Sequence, residues 1–567
     1  MSVESAPNEL VFRWLITPGA THYRLLENAD GHSGFTQIGA DIPADVLATT
    51  LAVPVHLHDF VNSLYIVQAC NQIGCTGSRE VSPMQSMLRT IGYFKASNTE
   101  SGDQFGRSIA LSDDGTTLAV GAIDSSSSIG INGSQSDNTA ARSGSVYVFR
   151  SDGRTWVQEA YIKASNTESG DEFGIVALSG DGNTLAVAAS AEDGGGIGIN
   201  GDQDNNAAAG SGAVYLFRFN GTDWFQEAYI KAANSDAEDA FGSSVALSTD
   251  GDTLVVGAHL EDGSGTGVNG ALDDNSASDA GAAYVFRFDG QDWFEEAYIK
   301  ASNTGTGDQF GFDVALSDSG DTLAVGAPGE QGSATGINGI QNDESPDGVG
   351  AVYVFRFEGT DWIQETYVKP SSIRPNSLGD GLRFGHTIDL SGDGDTLVVG
   401  ANRDSSDAIG IDGDQNSGSI DNSGAVFLYR FRDLDWMQEA YFKASNTGFD
   451  DGFGSAVALG AGGNILAVAA PGEDSNATGI GGTDSDNSAG NSGAVYLFRF
   501  ASTGWHQHAF VKASNTESGD GFGSAIALSS DGGRMAVGAP GEGSNATGII
   551  GDQSDNSAPA AGALYLY

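Results

Sequence analysis

The stretch FGIVALSGDGNTLAVAAS at residues 173–190, followed after a polar loop by GAVYLFRFNGTDWFQEAYIKA at residues 212–232, decides the fold. Gly180-Asp181-Gly182 and Asn220-Gly221 are turn signals between apolar runs. The segments FGIVALS, TLAVAAS, GAVYLFRF and WFQEAYIKA therefore read as four consecutive antiparallel strands. The second and third are almost continuously apolar, the pattern of strands covered on both faces. One such sheet alone would leave both apolar faces in water, so the unit needs neighbours.

The neighbours are copies of itself. Phe-Gly recurs at Phe105, Phe173, Phe241, Phe310, Phe384, Phe453 and Phe522, at spacings of 68, 68, 69, 74, 69 and 69. Tryptophan keeps the same beat at Trp156, Trp224, Trp293, Trp362, Trp436 and Trp505. All seven lysines occupy one repeat position: Lys95, Lys163, Lys231, Lys300, Lys369, Lys443 and Lys512. Four-stranded units repeated seven times predict an all-β chain with a seven-bladed β-propeller over residues 84–567. Ala563–Tyr567 reads as the third strand of the last unit, and Leu88–Lys95 as a fourth strand with no unit before it. Pairing the two would close the ring and remove an exposed sheet edge.

Residues 1–83 hold no lysine and no repeat. Short apolar runs separated by turn signals predict a small antiparallel sandwich. Phe12-Arg13-Trp14, Pro18-Gly19-Ala20 with Tyr23, and Tyr65–Ala69 with Asn71 resemble a fibronectin type III domain, with the family's first strand short or missing. Cys70 and Cys75, the only cysteines, fall across the last hairpin, where a disulfide can close. Free thiols are the cytosolic alternative; the reading taken is a disulfide and an oxidising compartment. A four-residue gap without a nearby histidine fits no common zinc pattern.

Twenty-five basic against 75 acidic side chains leave a formal charge of −50. Residues 1–83 carry three arginines and eight acids, a net −5, so the remainder carries −45. A polyanion of this size repels phosphates, which excludes a nucleic-acid binder, and no apolar run is long enough to span a bilayer. The 82 glycines have no Gly-X-Y period, which excludes a collagen-like rod. The first 20 residues lack the basic-then-apolar order of a signal peptide, so the chain is expected to be a mature form or a fragment.

Phe-Gly at strand one, Gly-Ala-Pro after strand two (Gly326-Ala327-Pro328, Gly538-Ala539-Pro540) and Gly-Ala-Val-Tyr at strand three resemble FG-GAP repeats, which form the propeller head of integrin alpha subunits and occur in bacterial surface proteins. The resemblance implies adhesion or ligand binding outside the cell, often calcium-assisted. Family propellers carry calcium in the hairpin between strands one and two. Here the first and last ligand positions are aliphatic in most repeats, as in Ala110, Ser112, Asp114, Gly115 and Leu118. Only the fifth repeat keeps a first-position acid, giving Asp389, Ser391, Asp393 and Asp395 as a candidate site, with Leu397 at its end.

The long loops between strands two and three, and those between strands four and one, share a face. The former carry Glu473, Asp474, Asp484, Asp486 and Asn487 in the sixth repeat and Asp552, Asp555 and Asn556 in the last. These are candidate ligands of a structural calcium, weighed against solvated turn-building groups. An aspartate precedes Phe-Gly by two residues in six repeats: Asp103, Asp171, Asp239, Asp308, Asp451 and Asp520. The repeated lysine is expected to offset acidic repulsion or link blades. Around repeat five, Arg374, Arg383 and Arg403, with His386, form a candidate contact for an anion or a partner, weighed against local charge compensation.

No nucleophile elbow, phosphate loop or dinucleotide fingerprint is present in the sequence. The chain is therefore expected to be non-enzymatic and monomeric, secreted or on the cell surface. Its expected partner is a protein, a matrix component or a glycan, met through the long acidic loops. The alternative is a propeller lectin, and behind it a polysaccharide lyase or hydrolase whose acid pair is hidden among the many carboxylates. The loops hold almost no aromatic residues, which counts against a sugar platform there.

Overall fold

A computed structural model describes the chain apart from residues 61, 154, 273, 342–347 and 374–380, and the side chains of 85 and 86. Among the described residues, seven four-stranded antiparallel sheets follow one another over residues 92–567. The second sheet is formed by Ile175–Leu178, Thr184–Ala189, Ala213–Phe219 and Trp224–Ile230, in that order from inner to outer edge. Its second strand is wholly buried, as the continuous apolar run requires. The inner strands of successive sheets lie side by side, and that of the last sheet, Ala525–Leu528, lies beside that of the first, Ser108–Leu111. The arrangement is propeller-like.

The repeated motif has a steric cause. Phe105 bridges Gly562, Phe310 bridges Gly281, Phe384 bridges Gly350 and Phe453 bridges Gly424, each time joining one sheet to the sheet before it. At Gly212, the equivalent glycine of the second sheet, φ is +79° and a side chain would collide with the Phe241 carbonyl. Only glycine suits both the backbone conformation and the close approach. The phenylalanines then pack edge-on against strand-three tyrosines, Phe173 on Tyr215 at 5.3 Å.

A β-bulge marks the third and fourth strands of the first six sheets, between Leu216 and Phe217 in the second. It leaves one outer-strand residue without a cross-strand partner, and in five sheets that residue is glutamate: Glu159, Glu227, Glu296, Glu365 and Glu439. The bulge turns each glutamate toward an arginine of its own sheet and a tryptophan of the next. Arg218 donates to Glu227 at 2.8 Å, and Trp293 Nε1 donates to the same carboxylate at 2.9 Å. The Arg218 guanidinium also lies over the Phe288 ring of the next sheet. In the sixth sheet the bulge residue is His508, whose Nε2 meets the Leu57 carbonyl of the small N-terminal unit at 3.2 Å.

That unit has a three-stranded sheet, Ser2–Ala6, Glu9–Arg13 and Ala48–Ala52, and a four-stranded sheet ordered Thr36–Pro43, His22–Asn28, Leu64–Cys70 and Cys75–Gly77. A first strand is thus present, at Ser2–Ala6, where the sequence suggested a short or missing one: Val3 and Ser5 align with Phe12 and Leu10 across a tight hairpin. Cys70 and Cys75 form a disulfide. Leu10, Phe12, Tyr23 and Tyr65 share one buried cluster with Ile465 and Met535 of the repeats.

The seventh sheet is completed by Gly92–Phe94, which pairs antiparallel with Ala563–Leu566 in the register Tyr93 to Tyr565. Deleting Leu88–Lys95 removes that strand and strips Glu542 of Lys95. The expected result is loss of a single cooperative unfolding transition in urea, followed by circular dichroism; an unchanged transition would refute closure as a stability element.

Candidate functional site

The long-loop face is built on a buried polar frame that repeats with the sheets. The lysine after the outer strand turns inward and is fully buried in every copy. In the second sheet Lys231 Nζ donates to Glu192 at 2.9 Å, Tyr229 Oη to the other oxygen of Glu192 at 3.0 Å, and Asn166 Nδ2 to that same oxygen at 3.0 Å. Glu192 opens the long loop of that sheet, whereas Asn166 belongs to the connection arriving from the first. The lysine therefore ties its own sheet's outer strand to its long loop, and the asparagine links adjacent sheets. Equivalent ion pairs join Lys95 to Glu542, Lys300 to Glu261, Lys369 to Glu330, Lys443 to Asp404 and Lys512 to Glu473. Burial lowers the lysine pKa values, and the facing carboxylate opposes that shift.

The first sheet departs from this pattern. Its loop opens with Asp124, one methylene shorter than glutamate and, unlike Asp404 of the fifth sheet, not paired with the lysine; Lys163 donates instead to Ser143 Oγ at 2.7 Å and to the Gly144 carbonyl. Among the described residues no carboxylate lies within ion-pair distance of Lys163, and burial draws its pKa down to about 8.

The frame reassigns the calcium candidates. Glu473 is committed to Lys512 and Asn446, away from the acids that follow it. Asp474 Oδ1 accepts the Asn491 amide at 2.8 Å, and Asp484 Oδ2 accepts Ser445 Oγ. Asp486 and Asn487 are exposed, and the Asp486 carbonyl accepts the Asn476 amide. Asp552 accepts both the amide and the hydroxyl of Ser554, Asp555 accepts the Ser557 amide, and Asn556 donates to Glu517. The Asp552 and Asp555 bonds are local turn bonds, whereas those of Glu473, Asp484 and Asn556 join segments 27 to 39 residues apart.

In the fifth hairpin, Asp389 Oδ1 accepts the Leu390 amide at 2.8 Å and Oδ2 the Leu459 amide of the next inner strand at 2.7 Å. Ser391 donates to Asp393 at 2.5 Å, and Asp395 pairs with Arg356 at 2.9 Å. The four residues face different partners. Among the described residues no three His, Cys, Asp or Glu groups are placed to hold a metal ion. The six aspartates before Phe-Gly each accept a backbone amide three residues upstream, as Asp103 does from Glu100 at 2.8 Å.

Of the basic candidates, Arg374 lies outside the described residues. Burial, and after it the charge of Arg403, lowers the Arg383 pKa, and the Arg383 guanidinium stacks 5.1 Å from the Phe312 ring centre. His386 approaches the same ring at 5.1 Å and His259 at 5.3 Å. Phe312 and His259 were not singled out in the sequence. The available signal was the residue directly after Phe-Gly, which differs between repeats where the neighbouring positions agree.

The FG-GAP repeat model matches residues 93–149, 224–286, 293–355 and 505–567. Each match runs from the outer strand of one sheet through three strands of the next, the same one-strand offset that closes the seventh sheet. The chain thus carries FG-GAP repeats. No curated protein matches it. Among solved structures it is similar to the hydrazine synthase of Kuenenia stuttgartiensis, at 12% identity and a TM-score of 0.42, over 81% of this chain and 97% of that one. It is also similar to the WD40 repeats of RRP9, at 10% identity and 0.42, over 84% and 96%. A third is Chaetomium thermophilum Sqt1 bound to the N-terminus of ribosomal protein L10, at 12% identity and 0.42, over 78% and 95%.

Two predictions come from the frame. Asp124→Glu supplies the missing methylene and should bring a carboxylate to Lys163, raising stability by about 1 kcal/mol as read from the urea midpoint. The second concerns pH. Burial raises Asp103, Asp171, Asp239, Asp313, Asp389, Asp451 and Asp520 from 3.8 to about 7. Asp313 and Asp389 are reached by water along the channel between the inner strands, yet protein surrounds them closely enough to desolvate their charge. A carboxyl raised on folding gives stability that is full below its unfolded pKa and is lost as pH rises through the folded value. Burial lowers His56, His259 and His386 from 6.5 to about 4, so their contribution is lost as pH falls over that interval. His58 and His508 shift the same way. The carboxylates outnumber the histidines, so the melting temperature should be higher near pH ~5.5 than near pH ~8. The difference should shrink in the Asp313→Asn, Asp389→Asn double variant.

Proposed function

We propose that the chain is a non-enzymatic extracellular binding protein: a closed seven-bladed, integrin-alpha-like propeller carrying a fibronectin type III-like domain. It engages a protein or matrix partner through its long-loop face. The observation that carries this reading is the division of labour within each repeat. The buried frame of lysine, carboxylate, tyrosine and asparagine recurs with few departures, and in each sheet it holds a long acidic loop of closely similar sequence, as at Gly198-Ile199-Asn200-Gly201 and Gly336-Ile337-Asn338-Gly339. Long loops held rigidly on one face are an arrangement used by binding scaffolds. The three- and four-stranded sheets of the N-terminal unit support the fibronectin-like assignment, and the Cys70–Cys75 disulfide supports an oxidising exterior. The resemblance to integrin heads suggests calcium. The committed carboxylates argue that the loops hold their shape without it.

The reading is tested by coating beads with the protein and scoring their retention on immobilised matrix proteins and on intact cells, with calcium or with a chelator. Retention is expected, equal in both media, and lost when the outer part of the sixth loop, residues 482–488, is exchanged for a glycine-serine linker of equal length, leaving Glu473 and Ser492 in place. Absence of retention on every surface, or retention indifferent to loop exchange, would overturn it. Release of reducing sugar from polysaccharides during incubation would favour the hydrolase instead.

A further inference from the structure

The residue directly after each Phe-Gly opens the inner strand at the long-loop face, so these positions ring the channel mouth. Around the ring they read Arg107, Ser243, Phe312, His386, Ser455 and Ser524. The second repeat lacks this residue: Ile175 aligns with the strand-two alanine, Ala188, as Ser108 does with Gly121 in the first. One missing side chain and three serines leave a cavity of about 550 Å³ at the mouth, bordered by Arg107, Glu172, Phe312 and His386. That volume lies within the usual range for small-ligand pockets.

The polar groups of this cavity have a definite complementarity. Arg107 pairs with Glu172 at 3.0 Å and the more exposed Arg142 reaches the same carboxylate, so the Arg107 charge is offset within the cavity wall and a ligand need carry no charge to meet it. Ser455 and Ser524 donate their hydroxyl protons to the Gly452 and Gly521 carbonyls, each at 2.7 Å, and Ser243 donates to the Gly257 carbonyl at 3.3 Å. Asn402 Nδ2 already donates to Ser455 Oγ at 3.5 Å, so Ser243 and Ser524 keep the freer acceptor oxygens, suited to a ligand rich in hydroxyl donors. Phe312 supplies an apolar surface whose orientation is held by Arg383, His259 and His386. Beside this mouth the buried atoms His259 Nδ1, His386 Nδ1 and Asn402 Oδ1 have no hydrogen-bond partner among the described residues.

We propose that this axial cavity binds a neutral saccharide unit, packed on Phe312, donating hydroxyls to the ring serines and accepting from Arg107. The aromatic surface absent from the long loops is thus provided at the channel mouth. The inference is independent of adhesion, since a sugar can occupy the cavity whether or not the loops hold a partner.

The test is titration calorimetry of the intact chain with glucose, galactose, mannose and N-acetylglucosamine, alongside a glycan array. Saturable binding is expected for at least one neutral sugar, free or as a glycan terminus, the two arms separating those sources. Phe312→Ala should weaken it at least about tenfold. Ser524→Trp, at an exposed position, should block the mouth with an unchanged melting temperature, which keeps the test valid if Phe312→Ala fails to fold. The proposal is overturned if no neutral sugar binds in either arm, or if affinity survives Ser524→Trp. Loss of sugar binding with bead retention intact would separate it from the adhesive reading.

Discussion

The architecture depends on a lysine buried away from the surface. Moving an ammonium and a carboxylate into a protein interior is costly unless both are saturated with hydrogen bonds. Here Glu192 receives Lys231, Tyr229 and Asn166, and Lys231 also donates to Ser211 at 2.6 Å. The cost of desolvation therefore falls on any conformation that breaks the set. Because its members come from the outer strand, the long loop and the preceding sheet, one cluster fixes the base of the loop and the spacing between sheets together. The lysines are consequently a structural feature of an acidic chain, and the remaining acids are left to the loops.

A second set of contacts works on the opposite side of each sheet. The bulged glutamate, its arginine and the next sheet's tryptophan form a pin that is half accessible to water and so weaker than the buried set. The pin changes where the small domain docks. His508 replaces glutamate in the sixth sheet and turns to Leu57, while His56 Nε2 meets the Gly532 carbonyl at 2.9 Å in the seventh. The symmetry of the repeats breaks on this side only where another body needs a surface.

Much of this was legible in the sequence. Two-sided apolar strands, turn dipeptides and an unmatched strand at each end of the repeats lead directly to the sheets and their pairing, because hydrophobic period and turn chemistry are local properties. Partnership is not local. Glu473 stands beside Asp474 in a run that looks like a ligand set, but its partner Lys512 is 39 residues away. Asp389 reads as the first ligand of a hairpin site, yet its second oxygen is taken by an amide 70 residues on, a bond that exists only because adjacent inner strands lie side by side. Phe312 was visible as a break in a repeated column. Its meaning needed the ring, which turns a column of the repeat into a circle of neighbours.

The seventh sheet joins groups 449 residues apart, as Tyr93 and Glu542 are. So distant a joint is slow to form by random encounter, and until it forms two strand edges stay open to other chains. The small domain lies immediately before the strand that must come home, and it rests on the sixth and seventh sheets through His508 and His56. Once docked, it holds residues 92–94 beside their destination and turns a search through the whole chain volume into a short tethered one. The small domain is thus placed where its docking would shorten the search of the last sheet's outer strand.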